Sequence, residues 1–594
     1  MQRSIKTPFS SILKLTAIVQ AALLASCASI SAPAPDGSAN SAAAANERSL
    51  LVYGGPILTM EGAQPAYAEA LLIEDGVIRF AGGLAEARKL APQARKLDLK
   101  NKTAIPGIID AHSHANMVGM QQTVANLYAP PDGKVVNIPS LLNELKDWAR
   151  KNPDFVQATS GWIMGNGYDD AELQEKRHPT ADELDLVSKD QPVLILHQSG
   201  HLASVNHKAL ELLNINADTP NPEGGVIRRV AGSTVPNGVL EESAAIQAMM
   251  AAFKTVPPEI IEKMALKAVQ TYAENGYTTI QEGRADSGTA ELWRSLAARN
   301  KLPIDVVVYP DISSEQDYMR EKGSSREYAG HFRIGGVKIS LDGSPQGKTA
   351  WLTQPYVVPP AGLPKTYRGY PAFPQQQTVQ NLINLAFQNN WQILAHANGD
   401  AAVDQYLNAV EKAVKTHAAK DRRNVIIHAQ TMREDQLDKA QQLNLIPSFF
   451  SLHTYYWGDW HVSQTLGKAR AERISPTGSA LKRGMIFTEH HDAPVIPPKS
   501  MMMLDATVNR VTRSGKILGA DQRISPYIAL KSMTDWAAYQ YFEEDKKGTL
   551  SAGKLGDFVI LSDNPITVQP NKLKDIQILA TYKEGQSIYQ KSLK

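Results

Sequence analysis

The sequence predicts an α/β fold: a (β/α)8 barrel of the TIM type, a composite β-sandwich built from both chain ends, and a large insertion after the first barrel strand. Three observations carry this. Short β-like runs open and close the body, eight further β-like runs alternate with amphipathic stretches between them, and ionisable residues follow the same end of five of those eight. Alternating strands and helical stretches are the sequence mark of parallel α/β architecture, and eight is the strand number that such a barrel needs. With 594 residues, 43% of them apolar and 21% charged, the chain can bury a sizeable core.

Residues 1–26 carry Arg3, Lys6 and Lys14, no acid, and an apolar run at 15–25. That run has the length of an export-signal core and is too short to span a bilayer. The segment ends Leu24-Ala25-Ser26-Cys27, which resembles a bacterial lipobox, where the cysteine is acylated and becomes the mature N-terminus. A cleaved signal with an incidental cysteine is the alternative; that Cys27 is the only cysteine of the chain favours the anchor. Residues 27–48, rich in Ala, Ser and Pro, are expected to form a flexible tether. The expected location is the cell envelope, with membrane attachment through a lipid on Cys27. Ala28, which is no acidic retention signal, points to the outer rather than the inner membrane.

Lys and Arg number 62 against 60 Asp and Glu, a net +2 that becomes −1 when the three cations of residues 1–26 are removed. Nucleic-acid binding, which needs a basic surplus, is set aside. The lone cysteine excludes disulfides and thiolate metal sites from the body, so any metal there is held by His, Asp, Glu or Lys.

The body opens with LLVYGGPILTM, AEALLIEDGVIRFAGG and ARKLDLKN, short strands with Asp75-Gly76 as a hairpin signal. The same texture returns in GTLSAGKLGDFVIL and DIQILATYKEGQSIYQ. Neither end holds enough strands for a stable sheet alone, so 49–103 and 546–594 are expected to meet as one β domain. The barrel, 104–545, has candidate strands at 104–110, 277–281, 304–309, 334–339, 391–396, 424–428, 446–450 and 485–489. The gap of about 165 residues between the first two is too long for one helix. Residues 115–260, which include the strand-like PVLILH at 192–197, are therefore an expected cap over the C-terminal face, where barrel active sites sit.

His112-Ser113-His114 follows the first candidate strand, and residues two apart in extended chain point the same way. His396 and His428 end the fifth and sixth runs, Lys338 lies inside the fourth, and Asp492 follows the eighth. Each has a structural alternative: polar loop residues for the His pair, packed histidines, a lysine paired to a carboxylate such as Asp342, and a turn-capping aspartate before Ala-Pro. Their recurrence at one end of strands one, four, five, six and eight decides for a common site.

These residues, and the stretches PGIIDAHSH (106–114), GGVKISLDGSPQGKTAWLTQPY (335–356), HANGDAAVD (396–404), IIHAQ (426–430) and HHDAPV (490–495), resemble the amidohydrolase superfamily, and within it the amidohydrolase-3 group that includes N-substituted formamide deformylases. The likeness runs from about Leu50 to about Pro565, and His491 departs from the Ser that relatives commonly carry there. The resemblance implies one or two divalent metal ions, with His112, His114 and Asp492 around one, His396 and His428 around the other, and Lys338, carboxylated, between them. Zn²⁺ is the default, because imidazole and carboxylate donors without thiolates suit it, while Mn²⁺, Fe²⁺ or Co²⁺ would also fit.

It further implies hydrolysis of a C–N bond in an amide, formamide or cyclic amide by a metal-bound hydroxide, Asp492 shuttling the proton. His201, in QSGH, is a candidate catalytic contact to substrate or oxyanion, or else a structural loop histidine. Tyr168, Asp169, Arg284, Trp351, Tyr356, His453, Trp457 and Trp460 are candidate pocket residues for a small-molecule substrate. The aromatics among them serve equally as packing anchors, and the run 455–460 is expected in a loop after strand seven. Two other functions compete: deamination of a nucleobase-like ring, and ligand binding by a non-catalytic surface lipoprotein. Homo-oligomerisation is suggested by family analogy alone.

Overall fold

The computed structural model describes residues 49–254, 256–360 and 362–592. The expected export signal, Cys27 anchor and tether lie outside them, and no helix among the described residues is long and apolar enough to cross a membrane.

Eight strands from the two chain ends share one hydrogen-bonded sheet. Ser49–Leu58, Tyr67–Glu74, Val77–Gly82, Arg95–Asp98 and Thr103–Pro106 come from the N-terminal side, and Phe558–Leu561, Ile578–Lys583 and Gln586–Gln590 from the other. They join where Phe558–Leu561 runs antiparallel to Thr103–Pro106. Asp75 and Gly76 both have positive φ, 49° and 82°, as a two-residue hairpin turn of the I′ type requires. Strand alternation divides the apolar residues between two faces. Leu50, Val52, Leu71 and Ile73 pack with Phe558, while Leu51, Ala70 and Leu72 pack with Ala87. Ala87 belongs to a helix, Leu84–Leu90, that a strands-only reading of 49–103 did not anticipate.

The first candidate strand, 104–110, is cut at Gly107. Thr103–Pro106 joins the end sheet, whereas Ile108–Ile109 starts a parallel sheet. Gly107 donates its N–H to Asp557 O at 2.8 Å, and a Cβ there would lie 2.3 Å from Thr278 Oγ1. Only glycine lets the two sheets share one chain at this spacing.

The parallel strands form two sheets. One holds Ile108–Ile109, Tyr277–Ala285, Asp305–Pro310 and Phe332–Ile334; the other holds Gly336–Ser340, Gln392–Ala397, Val425–His428, Ile446–Phe449 and Thr488–Glu489. The run expected at 334–339 is thus split at Gly335, and that at 485–489 keeps only its last two residues as strand. Ile312 N–H donates to Lys338 O at 2.9 Å between the sheets, and His114 N–H donates to Ala493 O at 2.8 Å on the other side. Helices Pro258–Glu274, Ser287–Ala298, Gln376–Gln388, Asp400–Thr416 and Glu434–Gln442 alternate with the strands, which are buried on both faces, as parallel strands flanked by helices are. Within 115–260, a third sheet of six strands runs from Ala125–Asn126 to Pro236–Glu242. Its alternation again serves two cores, Met164 and Leu194 on one side, Ile163 and Ile195 on the other.

A buried ionic network ties the C-terminal segment to the parallel strands. Asp305 accepts from Lys547 at 2.6 Å, Lys583 at 2.9 Å and His331 at 2.7 Å. Lys583 also meets Asp557 at 2.9 Å, and Glu543 meets Lys547 at 2.5 Å and Arg333 at 2.6 Å. Burial alone would raise the Asp305 carboxyl, but Lys547 and Lys583 outweigh it and hold it well below the usual carboxylate range. Asp305→Asn leaves two buried ammoniums without their shared anion and should cost about 3–5 kcal/mol, read as a lower thermal midpoint. Because the folded-state pKa is depressed, this contribution is present above the ordinary carboxylate pKa and lost as pH falls through the depressed value. The gap between wild type and variant should therefore close in strong acid; equal midpoints at neutral pH would refute the role.

Candidate metal centre

Parallel strands present their C-terminal ends at one edge, and six ionisable side chains meet there. His112 and His114 follow Ile108–Ile109, Lys338 lies in Gly336–Ser340, His396 and His428 lie in the next two strands, and Asp492 follows Thr488–Glu489. Asp492 Oδ1 is 3.4 Å from His112 Nε2 and 3.5 Å from His114 Nε2, and its Oδ2 is 3.9 Å from His428 Nε2. His428 Nε2 faces His396 Nδ1 at 3.0 Å, and Lys338 Nζ lies 2.9 Å from His112 Nε2. Two ligands about 2.0–2.1 Å from one zinc ion at a tetrahedral angle stand about 3.3–3.4 Å apart. The spacings fall around that value.

The outward-facing atoms of the rings are already committed. Gln281 donates from Nε2 to Ala111 O at 2.9 Å, so its Oε1 accepts from His112 Nδ1 at 2.6 Å. This leaves the His112 Nε2 lone pair directed inward. His396 Nε2 donates to Gly343 O at 3.1 Å, which leaves its Nδ1 lone pair inward as well. His428 Nδ1 bonds His490 Nε2 at 3.1 Å, and His490 Nδ1 bonds Ser448 Oγ at 2.9 Å. Among the inner atoms, Asp492 Oδ1 is buried without a hydrogen-bond partner, His396 Nδ1 faces His428 Nε2 at 3.0 Å, and His112 Nε2 faces Lys338 Nζ at 2.9 Å. A buried acceptor without a donor is costly. A divalent cation satisfies all of these atoms, so the residues present fit a metal.

Their protonation fits too. Burial, followed by the nearby Lys338 ammonium, holds His112 well below the usual imidazole value. Burial and His201 do the same to His396, and burial and His396 to His428. Burial brings the Lys338 amine down to about 7. Neutral imidazoles are the form that binds metal. His428 and Asp492 hold φ of +73° and +54°, strained for side chains other than glycine, as residues at functional sites often are.

The pairing of Lys338 with Asp342 is not formed. Asp342 accepts from the backbone N–H groups of Trp351, Asn398 and Gly399 rather than from Lys338. His491 turns away from the cluster: its Nδ1 accepts from Ala493 N–H at 2.9 Å, and its ring packs on Tyr277.

Residues 95–589 match the profile of the amidohydrolase family. The chain belongs to the amidohydrolase family. It is 26% identical over 564 residues to YtcJ of Bacillus subtilis (strain 168), an alignment covering 91% of this chain and 99% of that one. To the N-substituted formamide deformylase of Arthrobacter pascens it is 25% identical over 556 residues, 92% of this chain and 99% of the relative. An uncharacterized metal-dependent hydrolase from Pyrococcus horikoshii OT3 shares the fold, with a TM-score of 0.69 at 24% identity over 88% of this chain and 99% of that one.

The remaining predicted residues of this amidohydrolase-family chain fall at three depths. His201 packs edge-on to His396, ring centres 5.1 Å apart, and its Nδ1 lies 2.7 Å from Glu242 Oε2. Arg284 is partly exposed and holds Asp311 through Nε at 2.8 Å; its charge reaches His114, Lys338 and His396. Trp351, half-buried, follows the loop anchored by Asp342. Tyr168 and Tyr356 are buried, their hydroxyls bonding Ser204 and Ala350 O. The run 455–460 is helical, not a loop: His453–Trp460 forms one helix. There Trp457 Nε1 donates to Asp169 Oδ2 at 2.5 Å, and His453 packs on Phe450, which packs on His490. Trp460 lines a cavity of about 790 Å³ with Asp170, His178, Lys348, Tyr456 and Arg513. None of the six clustered residues lines that cavity, so its size does not identify the reaction site.

Sequence reading missed a second cluster, Asp170, His178 and His197, whose ligand-type atoms lie within 4.8 Å of one another. His197 ends an apolar strand, the very signal that singled out His396. Its Nδ1, however, accepts from Ser199 N–H at 3.1 Å, so Nε2 carries the proton toward Asp170 at 3.1 Å and Asp169 at 3.4 Å. This is a hydrogen-bonded relay without an inward lone pair on His197. Gln281 was missed as well, being an uncharged residue inside a strand.

Removing the Gln281 acceptor should weaken metal binding without touching a ligand. Gln281→Leu is expected to raise the metal dissociation constant about 10–100-fold, measured by competition with a chromophoric chelator. An unchanged constant would show that the His112 tautomer needs no such support.

Proposed function

We propose that this amidohydrolase-family protein hydrolyses a C–N bond of an amide, formamide or cyclic amide, with the two parallel sheets closing as a (β/α)8 barrel and the end sheet folding as its composite β-sandwich. The observation that carries the reading is the buried, donorless Asp492 Oδ1 set between His112 Nε2 and His114 Nε2. The relative named N-substituted formamide deformylase supports the choice of bond. Lipid anchoring of the exported protein at Cys27 in the outer membrane belongs to the same proposal, on the strength of the Leu-Ala-Ser-Cys sequence.

His112, His114 and Asp492 would hold one divalent ion and His396 and His428 a second, zinc being the best match to these nitrogen and oxygen donors. Lys338, close enough to deprotonation near neutral pH for its free amine to take up CO₂, would stand between them as a carbamate. Bound metal supplies Lewis-acid polarisation of a carbonyl and lowers the pKa of water. Asp492 takes the proton of the attacking water and passes it to the departing nitrogen. His201 meets the substrate carbonyl oxygen. Arg284 and Trp351, both partly exposed, contact the substrate, and buried Tyr168 and Trp457 brace the wall behind it.

The test is metal analysis of the purified protein coupled to amine release from a panel of N-acyl amines, N-formyl amines and N-acyl amino acids. Bound metal with turnover of some panel member is expected; metal without amine release from any of them would overturn the reading, and ammonia from a ring substrate would favour deamination. Asp492→Asn should retain metal and lose about 10²–10⁴-fold in turnover. His396→Ala and His428→Ala should each lower the metal content, and unchanged stoichiometry would reduce both rings to packing.

A further inference from the structure

Glu242 lies at the end of the strand Pro236–Glu242 in the third sheet, and its backbone N–H donates to His201 O at 2.7 Å. Its backbone is strained, with φ 49° and ψ −119°, a conformation that glycine adopts and other residues rarely do. Both carboxylate oxygens explain what the strain secures. Oε2 sits 2.7 Å from His201 Nδ1. Oε1 is buried without a hydrogen-bond partner and is wedged against Gly343, where a Cβ would come within 2.2 Å of it. Gly343 is the residue whose carbonyl accepts from His396 Nε2.

One carboxylate therefore rests on the backbone that orients His396 while it holds the ring stacked edge-on against His396. The His201 side chain keeps 17% of its surface exposed, and among the described residues its Nε2 has no partner. With Nδ1–H committed to Glu242, Nε2 is the only ring nitrogen left to meet a substrate.

We propose that Glu242 is a positioning residue that takes the Nδ1 proton of His201 and fixes the pose of its ring, so that Nε2 is the ring nitrogen presented to the substrate. The inference rests on the amide-hydrolysis reading for what Nε2 meets, but the orientation of His201 stands apart from it. A group held against the reacting bond acts mainly in the transition state, so its loss lowers turnover more than binding.

Kinetics of Glu242→Gln, His201→Gln and the double variant, all with metal content measured, test this. Each single variant should keep its metal and lose on the order of 10²-fold in kcat with KM changed by less than about threefold. The double variant should lose no more than either single one, because the two residues act as a unit. A Glu242→Gln variant with kcat within about threefold of wild type, or a double loss equal to the product of the single losses, would overturn the proposal. The ¹⁵N shifts of labelled histidine in the wild-type protein, with His201 assigned by its loss in His201→Gln, give a readout that needs neither turnover nor a folded Glu242 variant. A protonated Nδ1 is expected, and an unprotonated one sinks the proposal. Should no amide be hydrolysed, the amide reading fails while this readout still decides the orientation of His201.

Discussion

The site depends on how hydrogen bonds are shared at one sheet edge: the outer nitrogens of His112, His396 and His428 are bonded to protein, and Asp492 Oδ1 between the rings has no partner. Gln281 and Gly343 O take the outer protons of His112 and His396, which turns lone pairs into a buried space already containing the donorless Asp492 Oδ1. Such an arrangement is unfavourable for a protein alone, since an unsatisfied buried carboxylate oxygen forfeits its hydration. A cation reverses the sign of that contribution. The hydrogen-bond pattern thus argues for metal binding more strongly than the residue types do, because His and Asp occur in many buried networks in which every lone pair is satisfied.

That edge is held in place from three directions. Gly107 lets one stretch of chain serve the end sheet and then the first parallel strand, bringing His112 and His114 in at a fixed depth. Below, the buried network around Asp305 fastens residues 543–583 to the third parallel strand. Three carboxylates and three cations there are mutually compensating, so the arrangement tolerates burial that any one of them alone would not. Above, the third sheet sends in His201 and Glu242, and Glu242 Oε1 packs against the loop residue that orients His396. Residues of the 115–260 segment thereby pack against the candidate site at His396 and Gly343.

What could be read from the sequence is what repeats locally along it. The eight parallel runs, the His112-Ser113-His114 spacing and the histidines at the ends of apolar runs are all visible within a few residues of chain, and all eight runs appear in the two parallel sheets in order. The breaks at Gly107 and Gly335 were marked by glycines inside those runs, but which sheet each half joins depends on residues far away in sequence, Asp557 and Thr278 at Gly107 and Val308 and Tyr309 at Gly335. Gln281, Glu242 and Asp305 were invisible as functional or structural anchors for the same reason: their partners are tens to hundreds of residues distant. The helix His453–Trp460 was hidden by aromatic and β-branched residues whose local preference does not favour helix, a preference overridden by burial against Phe450.

His197 and His396 show where a sequence signal ends and geometry begins. Each closes an apolar, fully buried strand, each has a carboxylate nearby, and composition gives no reason to treat them differently. The difference lies in which ring nitrogen the backbone claims. At His396 a carbonyl, Gly343 O, takes a proton from the ring and leaves a lone pair for an ion. At His197 an N–H, that of Ser199, occupies the lone pair and leaves only a proton to offer. A neutral imidazole has one donor and one acceptor, so the backbone acceptor at His396 leaves a lone pair open to an ion, whereas at His197 burial is outweighed by Asp169 and Asp170, which raise the ring's pKa and keep Nε2 protonated. The acceptor at His396 comes from the loop after the neighbouring strand Gly336–Ser340, whereas the donor at His197 comes from the turn after its own strand, which runs on through Gly200 with φ +73°.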